Sequence, residues 1–187
     1  MSFFYYFGYG SNLLTKRIRV QNKTAERVGV GKLENFRLDF ADSALEKRYY
    51  SPTWNGSPAT IIENEGSCVY GAVWKINNCD LEELDRQEGV ESNIYKPLEL
   101  KIYVQELQNE VLCRSYQLVC NPKTPIDPQN RPYERQPSKT YLTVILNGAI
   151  ESNLPNDYFA FLKKFQHNGN RALDLNLESS LDLKEIL

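Results

Sequence analysis

The chain has 187 residues, 41% of them hydrophobic and 25% charged, with 22 Lys and Arg against 24 Asp and Glu for a net charge of −2. That length fits one domain with a sizeable core. The near-balanced charge excludes an electrostatic case for nucleic acid or an anionic membrane surface, and no apolar run approaches the length that spans a bilayer.

Residues 3–7 are apolar and aromatic, but too short and without the basic flank of a signal peptide, so they read as a first strand. Gly8 and Gly10 relax the backbone for a sharp turn, and Ser11 or Asn12 is a suitable N-cap. Leu13, Leu14 and Ile18 continue with helical spacing. A strand, tight turn and helix N-terminus present backbone N–H groups beside the positive end of a helix dipole. Such a place receives a carboxylate, a phosphate or the oxyanion of an acyl transfer, although a plain connection without a ligand has the same pattern. The glycine spacing is not G-x-G-x-x-G and no P-loop Lys follows, which argues against a nucleotide.

Residues 25–40 read as a strand in which Phe36, Leu38 and Phe40 alternate. Residues 41–56 are polar and read as an irregular loop. Residues 59–62 and 67–75 suit a strand pair around a turn at 63–66. Asn77 and Asn78 can cap a short helix over 80–88, ended by Gly89. Two more strands, 97–104 and 110–119, flank a polar turn at Gln108 and Asn109. Residues 121–138, rich in Pro, Asn, Gln and Arg, form a long surface loop of the kind often used as a lid. Residues 141–149 fit a helix or a strand equally. Asn153, Leu154 and Pro155 start a helix whose apolar face holds Tyr158, Phe159, Leu162 and Phe165 and which carries His167. Residues 170–187 read as a tail docked on a 1–169 domain. Several strands with segregated helices make an α+β fold.

Cys68, Cys79, Cys113 and Cys120 form no C-x-x-C pair, and three of them lie in apolar strand-like runs. They read as reduced core residues of a cytoplasmic protein. A single histidine, His167, removes a Ser-His-Asp triad unless that residue serves, and argues against a zinc site. Chemistry therefore falls to carboxylates, hydroxyls and backbone, with no metal and no cofactor expected.

The helix over 80–88 holds the most informative side chain. Leu81 and Leu84 define its apolar stripe, and the next position at i+4 is Glu88. Partial burial and the negative end of the helix dipole both disfavour the carboxylate form, raising its pKa toward neutrality. A group so tuned can accept and donate a proton. In the alternative reading this short helix frays and Glu88 turns into solvent; Asp85 is a lateral like-charge neighbour.

Tyr9-Gly10-Ser11-Asn12-Leu13 followed by Leu84-Asp85-Arg86-Gln87-Glu88-Gly89-Val90 resembles the γ-glutamylcyclotransferase family. The likeness extends through Phe36 to Phe40, Thr53 to Gly56, Cys113 to Tyr116 and Gly148 to Pro155, in order along the chain, and is strongest to the animal branch. It implies a single domain built on a twisted antiparallel barrel-like sheet, and release of 5-oxoproline from a γ-glutamyl amino acid or dipeptide. It puts the catalytic glutamate on Glu88, the substrate-holding loop on Tyr6, Phe7, Gly8, Tyr9, Gly10 and Ser11, and further pocket positions on Tyr95 and Tyr141. Related enzymes include dimers, so a homodimer is compatible. Gly8 stands where relatives often carry alanine, and the loops 41–50 and 121–138 depart further. Other readings are a γ-glutamylamine or glutathione-specific cyclotransferase and a catalytically silent binding module of the same fold.

Overall fold

Five strands, β1 (Phe3–Gly8), β2 (Glu26–Phe40), β3 (Ala59–Asn77), β4 (Tyr95–Val104) and β5 (Asn109–Leu118), close into a barrel in the order β1-β3-β2-β4-β5. The computed structural model describes residues 2–187, the side chains of Arg48 and Leu175 excepted. Four seams of the barrel are antiparallel. The fifth is parallel: β1 meets β5 at Tyr5↔Cys113 and Tyr6↔Arg114. This seam brings the start of the glycine loop beside the Arg114–Tyr116 stretch of β5. The architecture is the α+β barrel that the resemblance implies.

The segment expected to be two strands about a turn is one strand, β3. Its turn residues build a bulge instead: Glu34 pairs with Cys68 and Phe36 with Glu63, so residues 64–67 oppose Asn35 alone. Gly66 (φ 76°) and Asn35 (φ 60°) absorb the bend, and the Gly66 amide donates to Asn35 Oδ1 at 3.1 Å. A bulge lets a strand curve around a barrel without ending it.

Five helices surround the sheet: α1 (Thr15–Ile18), α2 (Leu81–Gln87), α3 (Lys139–Glu151), α4 (Asn156–Leu162) and α5 (Leu175–Ser180). The ambiguous stretch at 141–149 lies in α3, whose Leu142, Val144, Ile145, Leu146 and Ala149 are all buried. A helix covered on most sides loses its 3.6-residue signature, which is why periodicity did not classify it. Ser138 caps it by accepting from the Tyr141 amide at 3.0 Å. His167 lies beyond α4 in irregular chain, not in a helix. There the amides of Gln166 and Asn168 donate to the carbonyls of Pro128 and Pro137 rather than to a preceding helical turn.

The long loop 121–138 is strapped to β2. Asp39, buried on β2, faces three guanidiniums: Arg37 Nη1 at 2.5 Å, Arg135 Nη2 at 2.8 Å, and Arg131. These arginines also donate to the carbonyls of Pro122, Thr124 and Ile126, tying the loop down along its length. Residues 170–187 pack on α3, with Ala172 and Leu181 buried and reciprocal hydrogen bonds between Asn147 and Lys184. Of the cysteines, Cys113 is buried, Cys68 and Cys120 are half-buried and Cys79 is exposed; all four are free. Among the described residues no helix is long and apolar enough to cross a membrane.

Candidate active site

Local geometry at the end of α2 decides where Glu88 points. Leu84 is fully buried and anchors the helix. Gly89 takes a left-handed φ of 67°, its amide donates to the Arg86 carbonyl, and the Val90 amide donates to the Asp85 carbonyl. That pair of bonds is a Schellman ending, which glycine adopts without steric cost. Glu88 is the C-cap residue, held helical at φ −81° rather than frayed. At the other end neither Asn77 nor Asn78 caps through its side chain. The helix start is held instead by Asp80 Oδ2, which accepts from the amide and hydroxyl of Thr24 at 3.0 and 2.7 Å.

Glu88 Oε1 accepts from Asn12 Nδ2 and from Gln87 Nε2, each at 3.2 Å. Asn12 is shared further: Nδ2 also donates to the Tyr6 hydroxyl at 2.9 Å, and Oδ1 accepts from Gln87 Nε2 at 3.2 Å. Asn22 Nδ2 then fixes the Gln87 carbonyl oxygen at 3.2 Å. The carboxylate is thus locked by amides that cannot take its proton. Its pKa is raised from 4.5 to about 7. Desolvation is the main cause; the charge of Arg17 and the two amide hydrogen bonds oppose it, and Asp85 adds to it. Glu88 as a whole keeps part of its surface open to a cavity, but its carboxylate lies deep enough for desolvation to prevail. Asp85 itself is engaged by Arg114 at 2.7 Å and by the Tyr116 hydroxyl at 2.5 Å.

The glycine loop faces this carboxylate. Gly10 precedes a single 3₁₀ turn, Ser11–Leu13, and then the four-residue α1. Neither Ser11 nor Asn12 caps a helix through its side chain; Asn12 turns inward to Glu88 and Tyr6 instead. Gly10 is favoured by close approach rather than by an unusual φ, since a Cβ there would lie 3.0 Å from the Tyr141 hydroxyl and press on it.

Tyrosines complete the wall. The Tyr95 hydroxyl donates to the Ala59 carbonyl at 2.5 Å, while the Tyr141 hydroxyl accepts from the Ala59 amide at 3.3 Å. One residue of β3 therefore orients both rings. Burial pushes the Tyr141 pKa up to about 12, so its hydroxyl stays protonated at neutral pH. Tyr9 donates to the Tyr116 carbonyl and lines the same space. Two joined cavities meet at Glu88. The inner one, about 40 Å³, is lined by Tyr6, Tyr9, Gly10, Ser11, Asn12 and Tyr116. The outer one, about 260 Å³, is lined by Arg17, Thr53, Trp54, Pro58 and Ile94. Ser11, Glu88, Tyr95 and Tyr141 belong to both.

Seven of the nine expected site residues thus converge: Tyr6, Tyr9, Gly10, Ser11, Glu88, Tyr95 and Tyr141. Phe7 and Gly8 do not. The Phe7 ring is fully buried in the core, and Gly8 is the last ladder residue of β1, paired with Ala72. Alternation explains Phe7, since Tyr6 and Phe7 point to opposite sides of a strand; Gly8 is on the Tyr6 side but has no side chain to offer. Asn12, Gln87 and Tyr116 flank residues that the sequence marks, but nothing in the sequence separates their roles from capping, helix and strand positions. Arg17 had no signal at all; it reads as one of two ordinary basic residues in a helix turn.

Residues 68–162 match the model of the AIG2-like family. The γ-glutamylcyclotransferase of Bos taurus is 41% identical over 165 residues, covering 88% of this chain and 80% of its own. That of Homo sapiens gives the same identity and coverage. A solved γ-glutamyl cyclotransferase structure superposes with a TM-score of 0.81 at 37% identity, over 96% of this chain and 98% of its own. The chain belongs to the γ-glutamylcyclotransferase family.

Proposed function

We propose that the protein is a γ-glutamylcyclotransferase, which converts a γ-glutamyl amino acid into 5-oxoproline and a free amino acid, with Glu88 as general base and then general acid. The observation that carries this reading is a single carboxylate, its pKa raised to about 7, at the meeting point of two cavities whose other walls are amides, hydroxyls, apolar side chains and the Arg17 guanidinium. The substrate carries its own nucleophile, the α-amine, which must close a five-membered ring on the γ-carbonyl. Folding the chain into that conformer makes attack intramolecular. The amine is mostly protonated at neutral pH. Glu88 takes its proton, the new N–C bond forms, and the tetrahedral carbon collapses by breaking the bond to the leaving nitrogen. Glu88 gives that proton to the leaving nitrogen as its bond breaks. It then takes the second proton that the ring nitrogen must lose to become a neutral lactam and passes it to the departing amine. In this reading Tyr141, protonated and beside Gly10 and Ser11, donates toward the oxygen on which charge develops.

Four free cysteines support a cytoplasmic setting. Exposed aromatic and aliphatic surface such as Tyr133 and Leu112 leaves room for a homodimer.

The test is 5-oxoproline release from γ-glutamyl-alanine by wild type and Glu88→Gln. Wild type turns over; the variant, folded by circular dichroism, loses at least about 10²–10⁴-fold. An active, well-folded Glu88→Gln enzyme removes Glu88 from the mechanism. Release from glutathione or γ-glutamyl-ε-lysine alone assigns one of the sister activities instead.

A further inference from the structure

We propose that Arg17 receives the α-carboxylate of the leaving amino acid, and so makes the enzyme select γ-glutamyl conjugates of amino acids over those of uncharged amines. This rests on the cyclotransferase reading above.

Arg17 is a cation sealed into the wall of the outer cavity, 9% exposed. Among the described residues no carboxylate lies within ion-pair distance of it, and its one hydrogen bond runs from Nη1 to Gln21 Oε1 at 3.3 Å. Its Nε is buried and unpartnered. The guanidinium stands 5.7 Å from the Trp54 ring centroid, which braces it from one side. Its nearest opposite charge, Glu88, acts on it from beyond ion-pair distance. A buried cation with no directly paired anion is costly, a cost that an arriving carboxylate relieves. Among the residues lining the two joined cavities it is the single Lys or Arg.

The division of the cavity decides which anion. A γ-glutamyl amino acid brings two carboxylates, one on each side of the bond that breaks. The reacting atoms must lie against Glu88, on the wall that both cavities share. The inner recess suits the part that curls into a five-membered ring, because it is small and walled largely by tyrosines. The outer cavity, more than six times larger at about 260 against 40 Å³, suits the leaving amino acid with its variable side chain. Arg17 lines the outer one alone. The leaving carboxylate sits two bonds from the leaving nitrogen, so a cation in that cavity is within its reach, and a planar guanidinium matches its geometry.

The test compares 5-oxoproline release from γ-glutamyl-alanine and γ-glutamyl-alaninamide, which differ only in that carboxylate. Wild type favours the acid in kcat/KM by about tenfold or more, chiefly through KM. Arg17→Gln brings the ratio close to one, and Arg17→Lys, which keeps the charge but not the fork, retains part of it. Equal use of both substrates by wild type overturns the proposal whatever the variants do. So does a folded Arg17→Gln enzyme with the wild-type ratio: if Arg17 served only to tune Glu88, its loss would shift the pH profile equally for both substrates. Release from neither substrate by wild type overturns the cyclotransferase reading itself, and this assignment with it.

Discussion

Glu88 is held in a state that favours reaction at the expense of stability. Its pKa is about 7 in the fold against an ordinary 4.5. The sign follows from proton binding. Between those values the native state holds the proton and the unfolded chain has released it, so stability falls as pH rises from about 4.5 to 7 and then levels. That displacement corresponds to about 3 kcal/mol at neutral pH. Glu88→Gln should therefore be inactive yet melt higher than wild type at pH 7.5, with the gap closing toward pH 4.5; calorimetry across that range checks it. The same carboxylate sets the acid limb of activity. kcat/KM should fall about tenfold per unit below pH 7, as the base becomes protonated. Asn12→Ala removes one of the bonds that stabilise the charged form and should move this limb to higher pH, with the protein still folded. An unchanged limb in a pH–rate profile would show that Asn12 does not position the carboxylate. The residue scale is where the sequence was most legible: one glutamate on the apolar stripe of a short helix read over 80–88 was enough to raise the question.

At the scale of elements, the site depends on how α2 ends. The Schellman turn orients the C-cap residue, so Gly89 acts on chemistry through geometry. Any side chain at φ 67° is strained, and a Cβ at this glycine also meets Ile94 at 3.2 Å. Gly89→Ala should cost about 1 kcal/mol, or 2–4 °C in melting temperature for a chain of this size, and should lower kcat more than it raises KM. Steady-state kinetics on a folded variant decide it; unchanged kcat would mean that the turn leaves Glu88 where it was. Helix α2 and its glycine were readable because caps are written within a few residues. The bulge in β3 was not. Glu63 to Gly66 carry the composition of a turn, and only the partner strand, with Asn35 at positive φ, turns them into a bend that the barrel continues through. Phe7 entered the expected site through the resemblance, as part of the loop motif, although strand alternation turns its ring to the other face, into the core.

Over the whole molecule, contacts far apart in sequence hold the walls around the site. Thr53 and Trp54 line the outer cavity, and the Leu173 amide donates to the Thr53 carbonyl while Asn55 and Asn168 tie the same loop to the C-terminal segment. No local pattern announces such pairings. The Asp39 cluster is the largest of them and the best test of what the strap does. Arg131 and Arg135 come from the loop 121–138, and Asp39 and Arg37 from β2, almost a hundred positions earlier; Asp39, Arg131 and Arg135 are buried. With one carboxylate against three guanidiniums, Asp39 is the sole acidic counterweight in that cluster, so removing its charge leaves buried cations facing one another. Breaking a buried pair from one side costs about 3–5 kcal/mol. Asp39→Asn keeps the shape and should lower the melting temperature by about 10 °C or more. None of the strap's residues lines the cavities at Glu88. Below its melting point the variant should thus retain the wild-type kcat and the same acid limb in its pH profile, while limited proteolysis cuts first within 121–138. A strap that gated the site would instead show a changed KM at temperatures where the fold is intact, and that result would make it a lid.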